Sequence, residues 1–242
     1  MHTKTTLYQE ILSSKAAKKK LLAILLDPDK IVRGGLEILA EKINQSPATH
    51  LFVGGSTMES VQMDDLILFL QEKIDLPILL FPGNPSQISD KADGILFLSL
   101  LSGRNPDFLI AHQVKAAPIL KQTQLEIIST GYILVESGAV TAVERVSQTK
   151  PLPRDQFEEV LATALAGEML GSKLIYLEAG SGAKQTVPIE MVRLVAGNIQ
   201  LPLIVGGGIV SYSQIEAMYA AGADLVVIGT AFENDIHFFE KK

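Results

Sequence analysis

The sequence contains no cysteine and no tryptophan. Without cysteine there is no disulfide scaffold, no Fe–S cluster, no thiolate zinc site and no cysteine nucleophile. Also missing is any uninterrupted apolar run near the ~20 residues that span a bilayer. The first twenty residues, MHTKTTLYQEILSSKAAKKK, have no apolar h-region and read as an amphipathic helical lead-in, not a secretory signal. A basic excess is absent too: 21 Lys+Arg stand against 27 Asp+Glu, a net charge of -6. That balance argues against a nucleic-acid partner, which requires clustered Lys and Arg. The four histidines, His2, His50, His112 and His237, lack metal-ligand spacing. His50 alone approaches a plausible site position, and all four are taken as structural. What remains is 242 residues, 47% of them hydrophobic. A chain of this size can bury roughly 70% of its unfolded surface, and α/β barrels of ~200–250 residues form single domains. No linker or low-complexity stretch interrupts it, so the expectation is one cytoplasmic globular domain over 1–242.

Short apolar runs recur along the chain, each ending in polar or turn-forming residues. They occupy 21–27, 50–55, 77–83, 94–100, 125–136, 173–180, 201–208 and 224–230. Continuous, unalternating runs suit strands buried on both faces of a parallel sheet. Segments between them carry helical spacing, as in Leu36, Leu39, Ile43, then Leu66, Phe69, Leu70, then Ile215, Met218, Tyr219. Strands alternating with helices indicate an α/β fold, and eight of them in this length predict a (β/α)8 TIM barrel. The competitor is an open doubly wound sheet. Glycine or polar residues follow most of the strands, which favours the barrel, where all strand ends share one mouth. Residues 140–154 form the longest irregular stretch, either a mouth lid or a passive connection. Phe232–Phe239 is expected to form a terminal helix.

The last two strands end in Gly206–Gly208 and in Gly229–Thr230. Glycines there let backbone N–H groups approach an anion, the usual barrel phosphate site. The segment Tyr176–Ala183 (YLEAGSGA) adds a third arm, with Glu178 near the end of strand 6. Its carboxylate can accept a hydrogen bond from a substrate hydroxyl and take its proton. Tyr176 shares that strand face and reads equally well as barrel core. Asp27, in LLDPDK, ends the first strand. A carboxylate beside a bound phosphate calls for an intervening cation, and Mg2+ uses one or two carboxylates plus substrate phosphates. Ser56 offers a neighbouring oxygen, or else caps the next helix, with Thr57 competing for either role. Arg104, in SGRNP, suits a diphosphate oxygen or is a solvated loop residue. KAAKKK (15–20) is a solvated helix end, or a weak contact for anionic lipid.

Taken together, LLDPDK, VGGS, FPGNPSQIS, SGRNPDFLI, GYILVESG, TAVERVS, YLEAGSGA, IVGGGI and VIGTAFE resemble the geranylgeranylglyceryl phosphate synthase family, in order, from about residue 20 to 235. The resemblance implies a (β/α)8 barrel that transfers a prenyl group from its diphosphate to the 3-hydroxyl of sn-glycerol 1-phosphate. It assigns Asp27 and Ser56 to magnesium. It assigns Tyr176, Leu177, Glu178, Ala179, Gly180, Ser181 and Gly182, with Gly207, Gly208, Gly229 and Thr230, to the glycerol phosphate. Asp27 and Glu178 are then the catalytic candidates, with Arg104 assisting at the diphosphate. SGRNP and GYILVESG are similar to the family's geranylgeranyl-using second group, often hexameric, so a homo-oligomer (dimer or hexamer) with peripheral membrane contact is expected. Other members use a heptaprenyl donor, which stays open as an alternative. A sugar-phosphate isomerase or aldolase would want a Lys or His/Cys at a strand end. A non-catalytic phospho-ligand barrel gains nothing from Asp27.

Overall fold

The computed structural model describes residues 6–31, 33–55 and 60–240. Eight parallel strands close into a barrel in sequence order: β1 (Leu21–Leu26), β2 (His50–Val53), β3 (Ile78–Leu80), β4 (Gly94–Leu100), β5 (Glu126–Leu134), β6 (Leu174–Glu178), β7 (Leu203–Gly206) and β8 (Leu225–Ile228). Each falls inside an expected apolar run. Closure comes from β1 pairing with β8, Ile24 standing opposite Ile228. The runs ending at 55, 83, 180 and 208 read longer than their strands because the glycines at their ends leave the ladder and enter the loops above the barrel.

Period-two alternation divides the strand residues between two cores. Ala23, Phe52, Leu96, Tyr132, Tyr176 and Val227 fill the barrel interior. Ile24, Leu51, Ile133, Leu177, Val205 and Val226 pack outward against the helices. The helical periodicities are realised as α2 (Leu36–Gln45), α3 (Ser60–Lys73) and α8 (Tyr212–Ala221). α2 buries Leu39 and Ile43, and α8 buries Ile215 and Met218. The remaining connections are α4 (His112–Leu120), preceded by a π-helical turn at Asp107–Ala111, then α6 (Phe157–Met169) and α7 (Ile189–Ala196). No described helix is long and apolar enough to cross a membrane.

The lead-in forms α1 (Leu7–Ala16), which lies across the bottom of the barrel. Ile11 is buried there, with Leu7 and Tyr8 beside it. The Glu126 carboxylate accepts the amides of Leu7 and Tyr8 at 2.6 and 3.0 Å, satisfying two N–H groups that a helix start leaves orphaned. α1 ends at Ala16, within the lysine run: Lys15 is partly buried and pairs with Asp224 at 2.9 Å, while Lys18, Lys19 and Lys20 beyond the helix are exposed, Lys20 pairing with Glu216 at 2.6 Å.

Two expected elements differ. The stretch 140–154 is not irregular throughout but holds α5 (Ala142–Ser147), capped where the Thr141 hydroxyl accepts the Glu144 amide at 3.3 Å. The terminal helix over 232–239 is split. α9 (Thr230–Asn234) ends where Asp235 turns extended, and a 3-10 turn at Phe238–Glu240 follows.

Candidate active site

The C-terminal strand ends open into a cavity of about 610 Å³. From β6 round to β1 its wall is polar: Glu178, Ser181, Gly207, Gly208, Gly229, Thr230, Glu233, Asp27 and Lys30. From β3 to β5 it is mostly apolar, with Phe81, Leu96, Leu98, Leu100 and Phe108, though His112 and Gln113 also reach it, and Val143 and Arg145 of α5 line it from above. The Ser181 and Thr230 hydroxyls converge to 3.4 Å, which brings the loops after β6 and β8 together.

Glu178 is 5% exposed at the end of β6. One carboxylate oxygen accepts the Gly180 amide at 2.7 Å. Burial raises its carboxyl above the ordinary carboxylate range, while the adjacent Tyr176 hydroxyl and the Gly180 amide pull it back. Space for the pair exists because two neighbours lack side chains. A Cβ on Gly206 would lie 2.5 Å from the Tyr176 hydroxyl and 2.9 Å from Glu178 Oε2. On Gly207, whose φ is +83°, it would lie 2.4 Å from Glu178 Oε1. The buried Tyr176 hydroxyl has no well-aligned hydrogen-bond partner among the described residues. Its ring packs edge-on to Tyr132 at 5.3 Å and tilted against Phe81 at 5.6 Å. Burial and the Glu178 charge push both phenols well above their ordinary range, so they stay neutral.

Asp27 stands at the rim, its side chain 19% exposed. Its Oδ1 accepts the Asp29 amide at 3.2 Å, and Pro28 starts a 3-10 turn behind it. A Cβ on Gly55 would sit 2.2 Å from Asp27 Oδ1, so a glycine after β2 keeps room beside the carboxylate. Lys30 reaches Asp27 at 3.3 Å and Glu233 at 2.8 Å. Partial burial works to lower the Lys30 ammonium, but hydrogen bonds and charges from Glu233 and Asp27 hold it above its usual value.

Among the described residues no group of three or more His, Cys, Asp or Glu gathers into a metal cage. A magnesium ion at Asp27 would therefore draw its other ligands from water, hydroxyl and substrate phosphate, as this hard cation commonly does. The all-oxygen donors facing the cavity fit that description. Ser56 and Thr57 lie outside the described residues.

The structure brings Asp27, Tyr176, Glu178, Gly180, Ser181, Gly182, Gly207, Gly208, Gly229 and Thr230 to one cavity. Three of the expected contacts are placed elsewhere. Leu177 and Ala179 face the helix layer, because alternate residues of a strand point to opposite sides. Arg104 turns back on its own loop, donating to the carbonyls of Leu101 at 2.7 Å and Gly103 at 3.1 Å. His50 lies at the closed end of β2, its Nδ1 2.8 Å from the Thr49 hydroxyl. Burial, with the charge of Lys19 second, lowers its pKa to about 4. Sequence reasoning missed Lys30, Glu233, Tyr132 and Phe81, and it took as structural His112, which the π-helical turn before α4 brings to the cavity wall. The first four lie in motifs singled out above, LLDPDK, VIGTAFE, GYILVESG and FPGNPSQIS, but only the structure shows that their side chains face the cavity, with Tyr132 directly opposite Tyr176 in the ladder.

A parallel barrel with a glycine-walled polar mouth, a buried carboxylate and an adjoining apolar trough defines a TIM-barrel enzyme class that handles phosphorylated, partly apolar substrates. Within that class the comparisons are specific. The chain belongs to the PcrB family, whose model matches residues 14–242. It is 67% identical over 236 residues to the geranylgeranylglyceryl phosphate synthase of Flavobacterium johnsoniae, covering 98% of this chain and 97% of that protein. The synthase of the same name from Zunongwangia profunda is 50% identical over 224 residues, with 93% and 95% covered. Among solved structures, (S)-3-O-geranylgeranylglyceryl phosphate synthase from Thermoplasma acidophilum, in complex with its substrate sn-glycerol-1-phosphate, superposes with a TM-score of 0.91. That protein is 35% identical, with 97% of this chain and 94% of the other covered.

Proposed function

We propose that this chain is a prenyltransferase joining the geranylgeranyl group of its diphosphate to the 3-hydroxyl of sn-glycerol 1-phosphate. The observation that carries the reading is a single cavity whose polar half holds a buried, hydrogen-bonded Glu178 and whose other half is apolar. The names of the relatives and the glycerol-phosphate complex of the Thermoplasma protein support it.

In this reading the glycerol phosphate lies against Gly207, Gly208, Gly229 and Thr230, its 3-hydroxyl turned toward Glu178. Raised by burial, the Glu178 carboxyl is a better match for a late proton transfer than an exposed glutamate. The allylic carbon–oxygen bond of the donor breaks, and the electron pair leaves with diphosphate. The glycerol oxygen forms the new ether bond, and its proton passes to Glu178. Phe81, Tyr132 and Tyr176 exclude water around the reacting carbon, and the prenyl tail follows Leu96, Leu98, Leu100 and Phe108. Asp27, with Ser56, would hold magnesium, which when bound screens the charge of the leaving diphosphate. Holding both substrates in one cavity supplies the entropic part of the acceleration. The same reading has a cytoplasmic homo-oligomer that touches a membrane peripherally to hand over its lipid. Exposed Ile110 and Val114, next to the cavity-lining Phe108, support such a contact.

Incubation with radiolabelled sn-glycerol 1-phosphate, magnesium and prenyl diphosphates of graded length tests the reading. A geranylgeranyl ether as main product is expected. Turnover with a heptaprenyl donor alone would move the donor assignment, and no turnover with any donor would overturn the proposal.

A further inference from the structure

Two charged groups at the rim are unused by the chemistry above. The Lys30 ammonium lies 2.8 Å from Glu233 Oε2 and 3.3 Å from Asp27 Oδ2. Glu233 is the fixed partner: its side chain is 9% exposed, and its other oxygen accepts the Asp27 amide at 2.8 Å. Lys30 is the movable one, its side chain 45% exposed on the cavity wall. A compact ammonium on a flexible stem can leave two carboxylates for a more highly charged partner without disturbing the backbone. While it stays, Asp27 Oδ2 already has a cation beside it, and a divalent ion approaching the carboxylate meets like charge.

We propose that Lys30 binds the donor's diphosphate and, at rest, guards the Asp27 carboxylate. Glu233 acts as the positioning residue that parks the lysine between substrates. Arrival of diphosphate draws Lys30 off both acids, and Asp27 becomes free for the metal. Cation and diphosphate therefore bind with positive coupling, each raising the affinity for the other. The inference rests on the prenyltransferase reading. It gives the cationic part in diphosphate binding to Lys30, since Arg104 is engaged by its own loop.

Binding of Mn2+ as a magnesium probe and of inorganic diphosphate, each alone and together, tests this on the full chain. Wild type should bind Mn2+ weakly alone and more tightly with diphosphate. Lys30→Gln should bind diphosphate ~10–100-fold more weakly, the usual cost of losing a charged hydrogen bond. It should bind Mn2+ alone more tightly than wild type, and lose the coupling. Lys30→Arg should restore diphosphate binding, and Glu233→Gln should tighten diphosphate binding without metal. If Lys30→Gln keeps wild-type affinities and coupling and shifts only the thermal midpoint, Lys30 is a structural clamp and the inference falls alone. Wild type binding neither probe, singly or together, would overturn the parent reading with it.

Discussion

The two ends of the barrel are made from the same eight strands and have opposite properties. At the bottom, α1 lies across the opening, Ile11 fills it, and Glu126 satisfies the helix start. At the top, glycines follow the strands and charged groups stand around an open cavity. At the bottom Lys15 is matched to Asp224, whose carboxylate also accepts the Leu203 amide, and His50 Nδ1 meets the Thr49 hydroxyl, although its buried Nε2 has no partner among the described residues. At the top, the buried Tyr176 hydroxyl is left without a well-aligned partner, and burial raises the Glu178 carboxyl above the ordinary carboxylate range. The unmatched groups at the top face the cavity where a ligand would lie, while the matched pairs at the bottom hold the fold together.

This contrast can be broken from either side. The largest effect is expected at the top: Glu178→Gln should lower turnover by ~10²–10⁴-fold while leaving glycerol phosphate affinity and the thermal midpoint nearly unchanged. A loss confined to affinity would make Glu178 a binding residue. At the bottom, Ile11→Ala should cost ~2–5 kcal/mol of stability in denaturant unfolding, with KM for both substrates unaltered. An altered KM would mean that the two ends are coupled.

His50 sharpens the comparison by pH. Its folded pKa of about 4 lies below the unfolded value, so falling pH protonates the unfolded chain first. Stability should then drop by up to about 3 kcal/mol between pH 6.5 and 4 and level off below. His50→Asn should remove that part of the slope in thermal melts across pH. The smallest effect is expected at Arg104: Arg104→Ala should leave KM for the prenyl diphosphate within about twofold, as for a surface position away from the site. A tenfold rise would return it to the diphosphate site.

Much of this was legible in the chain, for physical reasons. Uninterrupted apolar runs such as LLAILL can only be strands buried on both faces, and each strand lies where such a run does. The carboxylates and glycines of the cavity were legible because barrel strand ends converge. Leu177 and Ala179 were misplaced by reading a motif as a block, when alternation sends every second side chain away. α5 left a signal that went unread, since Thr141 and Glu144 stand at capping-box spacing. The link from Lys30 to Glu233 left none, because it joins residues 203 apart in sequence. Arg104 was equally opaque, since sequence does not say which way a loop carbonyl points.

The cap on α1 has a consequence for the order of events during synthesis. Residues 7 and 8 leave the ribosome well before the carboxylate they require, which is 119 and 118 positions downstream. The ion pair of Lys15 waits longer still, for a residue 209 positions away. A ten-residue helix is marginal by itself in water, so α1 stays unsettled until the last strand is made. It docks as a closing step, and a segment translated ahead of all eight strands is among the last to be fixed.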